Sequence, residues 1–254
     1  MAAIYSIVGA TVPHDWQQRP FRAPHHTASA AALVGGGAVP RPGEISLAHG
    51  GVLFLDELPE FQRQVLEVLR EPLESGEIQL SRVRAQTRYP ARFQLIAAMN
   101  PCPCGYYGHD DQRCRCTPDQ IRRYRGRISG PLLDRIDLHV PVTAIAPTEL
   151  RSAATGEASA TIQSRTIAAQ KTALDRQGCA NADLTAPQID QVCVLGDTEH
   201  QYMEAAVRKL GLSTRAYHRV LKVARTLADM AGEPNIQRPQ LAEAISYRAL
   251  DRGV

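Results

Sequence analysis

The chain is 254 residues long, 44% hydrophobic, and carries a formal net charge of only +3. That composition predicts a packed core and excludes a basic nucleic-acid arm. No apolar run approaches the ~18 to 20 residues that span a bilayer, and no basic stretch followed by an apolar segment opens the chain, so a cytoplasmic protein without a membrane partner is expected.

In chain order, the first strong signal is Val52 to Leu55, a continuous apolar run between turn signals, the pattern of a strand buried on both faces. Phe61 to Leu73 carries Val65, Leu66, Val68, Leu69 and Leu73 at helical spacing and predicts one helix. Glu77 to Leu80 and Gln86 to Arg92 flank Ser81-Arg82-Val83-Arg84 and predict a hairpin with a basic tip. Phe93 to Ala98 and Leu138 to Val142 read as two further buried strands, which makes this part an α/β sheet unit. Pro147 interrupts the pattern and marks a boundary within Ala144 to Thr148. Beyond it, Thr161 to Arg176, Thr198 to Leu210, Thr214 to Met230 and Arg238 to Leu250 have helical periodicity, with Gly178, Gly211 and Gly232 near stops and Pro239 near a start. The expected division is an α/β domain over 1–146 and a helical domain over 147–254.

Chemistry concentrates at the strand ends. Gly50 to Glu57 is an apolar strand closing on two adjacent carboxylates, and a buried strand delivers such groups to the crevice where α/β proteins bind ligands. Asp56 there suits the magnesium of a nucleotide and Glu57 an attacking water, against the plainer reading of an acidic turn. The strand from Phe93 ends in Asn100-Pro101, an amide with donors and an acceptor for a phosphate and a water, although Asn before Pro is also a common turn. Ser129 to Asp137 contains Leu132-Leu133-Asp134-Arg135, and Arg135 at a subunit edge could reach a neighbour's γ-phosphate; taken alone, a surface pair with Asp134 or Asp137 is the stronger reading. Lysines are confined to Lys171, Lys209 and Lys222, so the positive charge is nearly all arginine, as phosphate contacts favour and as a GC-rich genome would also produce.

Together with Leu212-Ser213-Thr214-Arg215-Ala216-Tyr217-His218-Arg219, with Arg19 to Ser29 and with Pro42 to Gly51, these stretches resemble the magnesium chelatase-like AAA+ proteins of the YifB/ComM family from about Arg19 onward. The resemblance implies a partial P-loop NTPase core with a parallel sheet followed by an all-α lid. It implies Walker B at Asp56 and Glu57, sensor 1 at Asn100, a trans-acting arginine finger at Arg135 and sensor 2 at Arg215. A helix 2 insert is expected at about 20–50 and a pre-sensor 1 hairpin at about 77–92, with Arg82 and Arg84 as candidate DNA phosphate contacts. The implied protein is a hexameric ATPase using ATP and magnesium, acting on DNA as a helicase or branch-migration factor in natural transformation. A magnesium chelatase motor subunit and a non-catalytic scaffold are the alternatives. One departure is large: no G-x-x-x-x-G-K-[ST] loop is present and no lysine precedes Lys171. Because Met1 to Gly9 looks like the helix that follows that loop in the family, a fragment of a longer protein, inactive alone, is expected.

Cys102, Cys104, Cys114 and Cys116, with His109 between the pairs, lie on a Gly- and Pro-containing loop. Four soft ligands within so short a span can converge on a tetrahedral structural zinc, with free thiols or oxidation-formed disulfides as the other readings. The clustering, with Cys179 and Cys193 apart, fits a reduced compartment better than a secreted scaffold. His25 and His26 read as local hydrogen-bonding groups, Trp16 as packing, and Arg122, Arg123, Arg125 and Arg127 as a solvated face that a ring could place along a nucleic-acid channel.

Overall fold

Residues 2–9, 18–37, 40–82, 85–108, 113–142, 156–248 and 250 are described by the computed structural model. Trp16, Arg84 and His109 lie outside them, and so does the boundary expected near Pro147. Within the described residues the chain divides into two units, Met1–Arg135 and Ile136–Val254.

The strands of the first unit are β1 (Phe21–Arg22), β2 (Gly35–Gly36), β3 (Arg41–Pro42), β4 (Val52–Leu55), β5 (Glu77–Arg82), β6 (Ala85–Pro90) and β7 (Gln94–Ala97). β1, β4 and β7 form a parallel sheet in the order β1-β4-β7. β5 and β6 make the expected antiparallel hairpin, from Glu77 opposite Pro90 to Arg82 opposite Ala85, and β2 with β3 makes a smaller one. Leu53 and Leu55 point into a core with Leu33, Ile45, Leu66 and Leu69, all fully buried. Gly51 lets β1 and β4 approach: a Cβ there would stand 1.9 Å from the Pro20 carbonyl oxygen. A hydrogen bond from the Val52 N–H to that same oxygen starts the pairing, at 2.8 Å. Arg22 then clamps β1 through two bonds to Glu44, at 2.6 and 2.7 Å.

Three expectations change. Leu138 to Val142 is not the third strand: His139 makes an isolated parallel bridge to Arg248 in the second unit, and Val140 and Val142 are 61% and 93% exposed. The third strand is β1, whose two residues are too short to display a period. Nor are the strands buried on both faces, because Phe21, Phe54 and Ile96 share a face on which Phe21 is 63% and Ile96 46% exposed. The single helix over 61–73 is instead a 3₁₀ turn Leu58–Glu60 and two short helices, Arg63–Glu67 and Pro72–Ser75. Pro72 has no N–H to bond back to Val68, so the first helix cannot run through it and the second starts at it.

The second unit is all helical where described, apart from that bridge. Helices run over Ser159–Gln177, Ala186–Val192, Asp197–Leu210, Thr214–Ala231 and Arg238–Ser246, close to the periodic segments, with Ala186–Val192 additional. Gly178, Gly211 and Gly232 take left-handed φ of 75°, 62° and 72° and end three of them. Ile189, Met203, Val220, Leu221, Leu241 and Ile245 fill one core. Among the described residues no helix is long and apolar enough to cross a membrane.

Candidate nucleotide site at the strand ends

Parallel pairing brings the C-terminal ends of all three strands of the sheet to one edge. Leu55 lies opposite Ala97, and the Leu58 N–H donates to the Ala98 carbonyl at 2.9 Å, which seats the Asp56-Glu57 turn beside the chain that leads to Asn100. All three side chains are exposed. Asp56 Oδ1 accepts from the Glu57 N–H at 2.9 Å. Glu57 is the one non-glycine residue with positive φ among the described residues, at φ 51° and ψ 47°. A left-handed glutamate stores strain of about 1–3 kcal/mol, which accumulates where function fixes the backbone.

β1 also ends at this edge, and the chain beyond it carries His26 to Glu57, Nδ1 to Oε2 at 3.0 Å. His26 lies against His25 with its ring tilted by 34° and the ring centroids 4.1 Å apart, and is set edge-on to Phe61. Sequence reasoning gave His26 a local role because its neighbour across the sheet depends on β1, which has no sequence signal of its own. A side chain that fixes one rotamer of a neighbouring carboxylate acts by position. If Glu57 takes the proton of an attacking water, as expected from the sequence, His26→Ala in the full-length protein lowers kcat for ATP by about 10- to 100-fold with KM little changed, and His26→Gln restores part of it. Equal changes in kcat and protein stability, with no recovery in the glutamine variant, would assign His26 a packing role instead.

Arg135 does not sit as expected. Its side chain is 7% exposed, with Nη2 on Glu74 Oε2 at 2.5 Å and Nη1 on the Pro131 carbonyl at 2.6 Å, so within this chain it is turned inward rather than presented at an edge. Arg215 is exposed in the first turn of helix Thr214–Ala231, which Ser213 caps by accepting from the Ala216 N–H at 3.1 Å. Four residues on, Arg219 pairs with Asp137. The backbone of Arg82 lies at the end of β5.

The basic run does more than face solvent. Arg127 pairs with Glu60 at 2.8 Å, Arg122 with Asp119 at 3.1 Å, and Arg125 donates to the Pro101 carbonyl at 3.1 Å. Following Asn100, the four thiols of Cys102, Cys104, Cys114 and Cys116 converge, with all Sγ atoms within 4.8 Å of one another. Hydrogen bonding, first from the Tyr106 backbone and then from the Cys102 and Cys116 thiols, brings the Cys104 thiol down to about 6, while Cys116 beside it is pushed up to about 12.

Over residues 1–150 the sequence matches the family described as magnesium chelatase, subunit ChlI, and over 156–248 the one described as magnesium chelatase, subunit ChlI C-terminal. The chain is 55% identical to the YifB protein of Salmonella typhimurium over 253 residues, 99% of this chain and 50% of that one. It is 53% identical to competence protein ComM of Haemophilus influenzae over 240 residues, 94% of this chain and 47% of that one. Similarity to the magnesium-chelatase 38 kDa subunit of Acidiphilium rubrum is 36% over 70 residues, 28% of this chain and 20% of that one. The chain thus belongs to the magnesium chelatase ChlI family, an AAA+-like ATPase family, and is a YifB/ComM-type member with a partial α/β core and a helical C-terminal part. It spans about half the length of the YifB and ComM relatives.

Proposed function

We propose that these residues form the Walker B to lid portion of an ATP-hydrolysing motor that assembles as a cytoplasmic homo-hexamer and works on DNA as a helicase or branch-migration factor. The observation that carries this reading is the shared edge where β4 delivers Asp56 and Glu57 beside the β7 segment leading to Asn100. The exposed Asp56 carboxylate, one oxygen of which accepts its neighbour's N–H, has the hard oxygen chemistry that magnesium takes. Bound with ATP, magnesium would supply charge neutralisation on the phosphates. Glu57, oriented by His26, accepts the proton of the attacking water, and Asn100 holds that water against the γ-phosphate. Arg135 exchanges Glu74 for the γ-phosphate of a neighbouring protomer, and Arg215 on the lid responds to the same group. The phosphate cradle is not encoded in these 254 residues, so this chain alone is expected to hydrolyse no ATP.

DNA is preferred to a porphyrin as the object of the work, because identity to ComM is 53% over 94% of the chain, against 36% over 28% and 26% over 47% of it for two magnesium-chelatase subunits. ATPase activity of the full-length protein, measured with and without single-stranded or forked DNA, tests this. DNA is expected to stimulate turnover, and Arg82→Ala with Arg84→Ala to reduce both the stimulation and its salt dependence. Turnover indifferent to DNA would favour the chelatase-type reading, and unchanged stimulation in the double variant would remove the hairpin from the DNA path.

A further inference from the structure

The loop after Asn100 has a geometry that the motor does not require. Sγ of Cys102 stands 3.4 Å from Cys104 and 3.8 Å from Cys114, and Cys104 stands 3.7 Å from Cys114. A tetrahedron with metal–sulfur bonds of about 2.3 Å has edges of about 3.8 Å, so these three thiols already lie close to the spacing a four-sulfur site demands, and Cys116 Sγ is within 4.8 Å of each of them. All four cysteines are free. Tetrahedral sulfur ligation selects zinc or an iron–sulfur centre, and four Sγ atoms within 4.8 Å of one another leave room for a single ion rather than a multi-iron cluster. Arg113 and Arg115 flank Cys114 in sequence, and the Arg113 and Arg125 guanidinium groups lie over Tyr106 and Tyr107, 5.3 and 5.2 Å from the ring centroids. Positive charge of that kind suits the double negative charge of a zinc tetrathiolate.

The same loop closes a circuit around Asn100. Cys102 follows it by two residues, and Cys116 precedes Thr117, which caps helix Pro118–Arg125 through a reciprocal capping box with Gln120. From that helix Arg125 returns to the Pro101 carbonyl, and the buried Tyr124 phenol meets the Asn100 backbone.

The geometry points to a structural zinc ion held by Cys102, Cys104, Cys114 and Cys116 that fixes the Asn100 strand end between β7 and helix Pro118–Arg125. No coordination position remains for substrate, so the metal braces and takes no part in reaction. The zinc assignment stands on the thiols alone; its bearing on turnover rests on the proposed role of Asn100.

The test begins with the metal content of the full-length protein purified under thiol reductant. One equivalent of zinc per chain is expected, released by a mercurial and captured by a chromophoric chelator. Replacement by cobalt(II) is expected to give the intense visible bands of tetrahedral thiolate ligation, a readout that needs no variant. Cys104→Ser with Cys114→Ser is expected to lose the ion. Hydrogen exchange of 98–105 and 118–125 is expected to rise when the zinc is removed. A reduced protein with no zinc, one holding iron instead, or a cobalt form without those bands would overturn the site. A zinc-loaded protein whose exchange over both segments is unchanged on zinc removal would overturn the brace. Each result is read without ATP, so neither depends on the nucleotide reading.

Discussion

Glu57→Gln in the full-length protein is expected to lower ATP turnover by about 10²- to 10⁴-fold, the range that a positioned general base contributes, with ATP affinity nearly unchanged. The amide preserves the size of the side chain and removes only its capacity to take a proton. Glu57 sits at the C-terminal end of a sheet strand, in a left-handed conformation no other described non-glycine residue adopts, with its carboxylate fixed by His26 at 3.0 Å. Each of these features costs freedom or strain and together they aim one carboxylate off the sheet edge. Steady-state kinetics with an equilibrium nucleotide-binding measurement separate the outcomes. A loss of less than about tenfold would take Glu57 out of the proton-accepting role.

The largest effect on stability is expected in the helical unit, at Asp229. Its side chain is 1% exposed and accepts from Arg176 at 2.5 and 3.0 Å and from Asn181 at 2.7 Å, and it pairs with Arg225 at 3.1 Å. Arg225, itself 2% exposed, also donates to the Glu233 and Pro234 carbonyls. Asp229→Ala leaves that guanidinium buried without its counter-charge, and breaking such a pair costs about 3–5 kcal/mol. Against the ~5–15 kcal/mol of a typical domain, the loss brings the unit near its unfolding threshold. Burial alone would raise the Asp229 carboxyl, but the hydrogen bonds from Arg176 and Asn181 and the nearby arginine charges outweigh it and hold it below the ordinary carboxylate range. Its contribution is therefore complete above the unfolded value of ~3.9 and is lost as pH falls through the lower folded value. Urea denaturation of wild type and Asp229→Ala at neutral and acid pH reads both effects. The variant is expected to lose stability at neutral pH and to show a shallower fall in acid; a change of less than about 1 kcal/mol would mean that the network contributes little.

What could be read from sequence follows from the range over which each signal acts. β4, β7 and the β5–β6 hairpin are apolar or alternating runs long enough to carry a period, so Asp56 and Glu57 could be placed at the end of β4 from the residues alone, whereas Asn100 stands three residues past the end of β7, at Ala97. β1 has two residues and owes its existence to Gly51 and to the Arg22–Glu44 pair, both of which need the folded chain to be seen. His26 inherits that obscurity, because nothing local says that it will meet Glu57. The resting contact of Arg135 is hidden for a related reason: its partner Glu74 is 61 residues away on a short helix whose start depends on Pro72. The bare face carrying Phe21 and Ile96 shows the opposite limit, since an apolar run states that a strand will be covered without naming what covers it.

The proposed hydrolysis takes place at one edge of one sheet, facing the terminal phosphate of ATP. A structure of the full-length protein assembled with magnesium and a non-hydrolysable ATP analogue tests this most directly. It is expected to show Asp56 at the magnesium, Glu57 and Asn100 on opposite sides of the water beside the γ-phosphate, and Arg135 of a neighbouring protomer released from Glu74 onto that phosphate. A nucleotide bound away from the β4 and β7 ends, or an Arg135 still paired with Glu74 in a loaded ring, would contradict it.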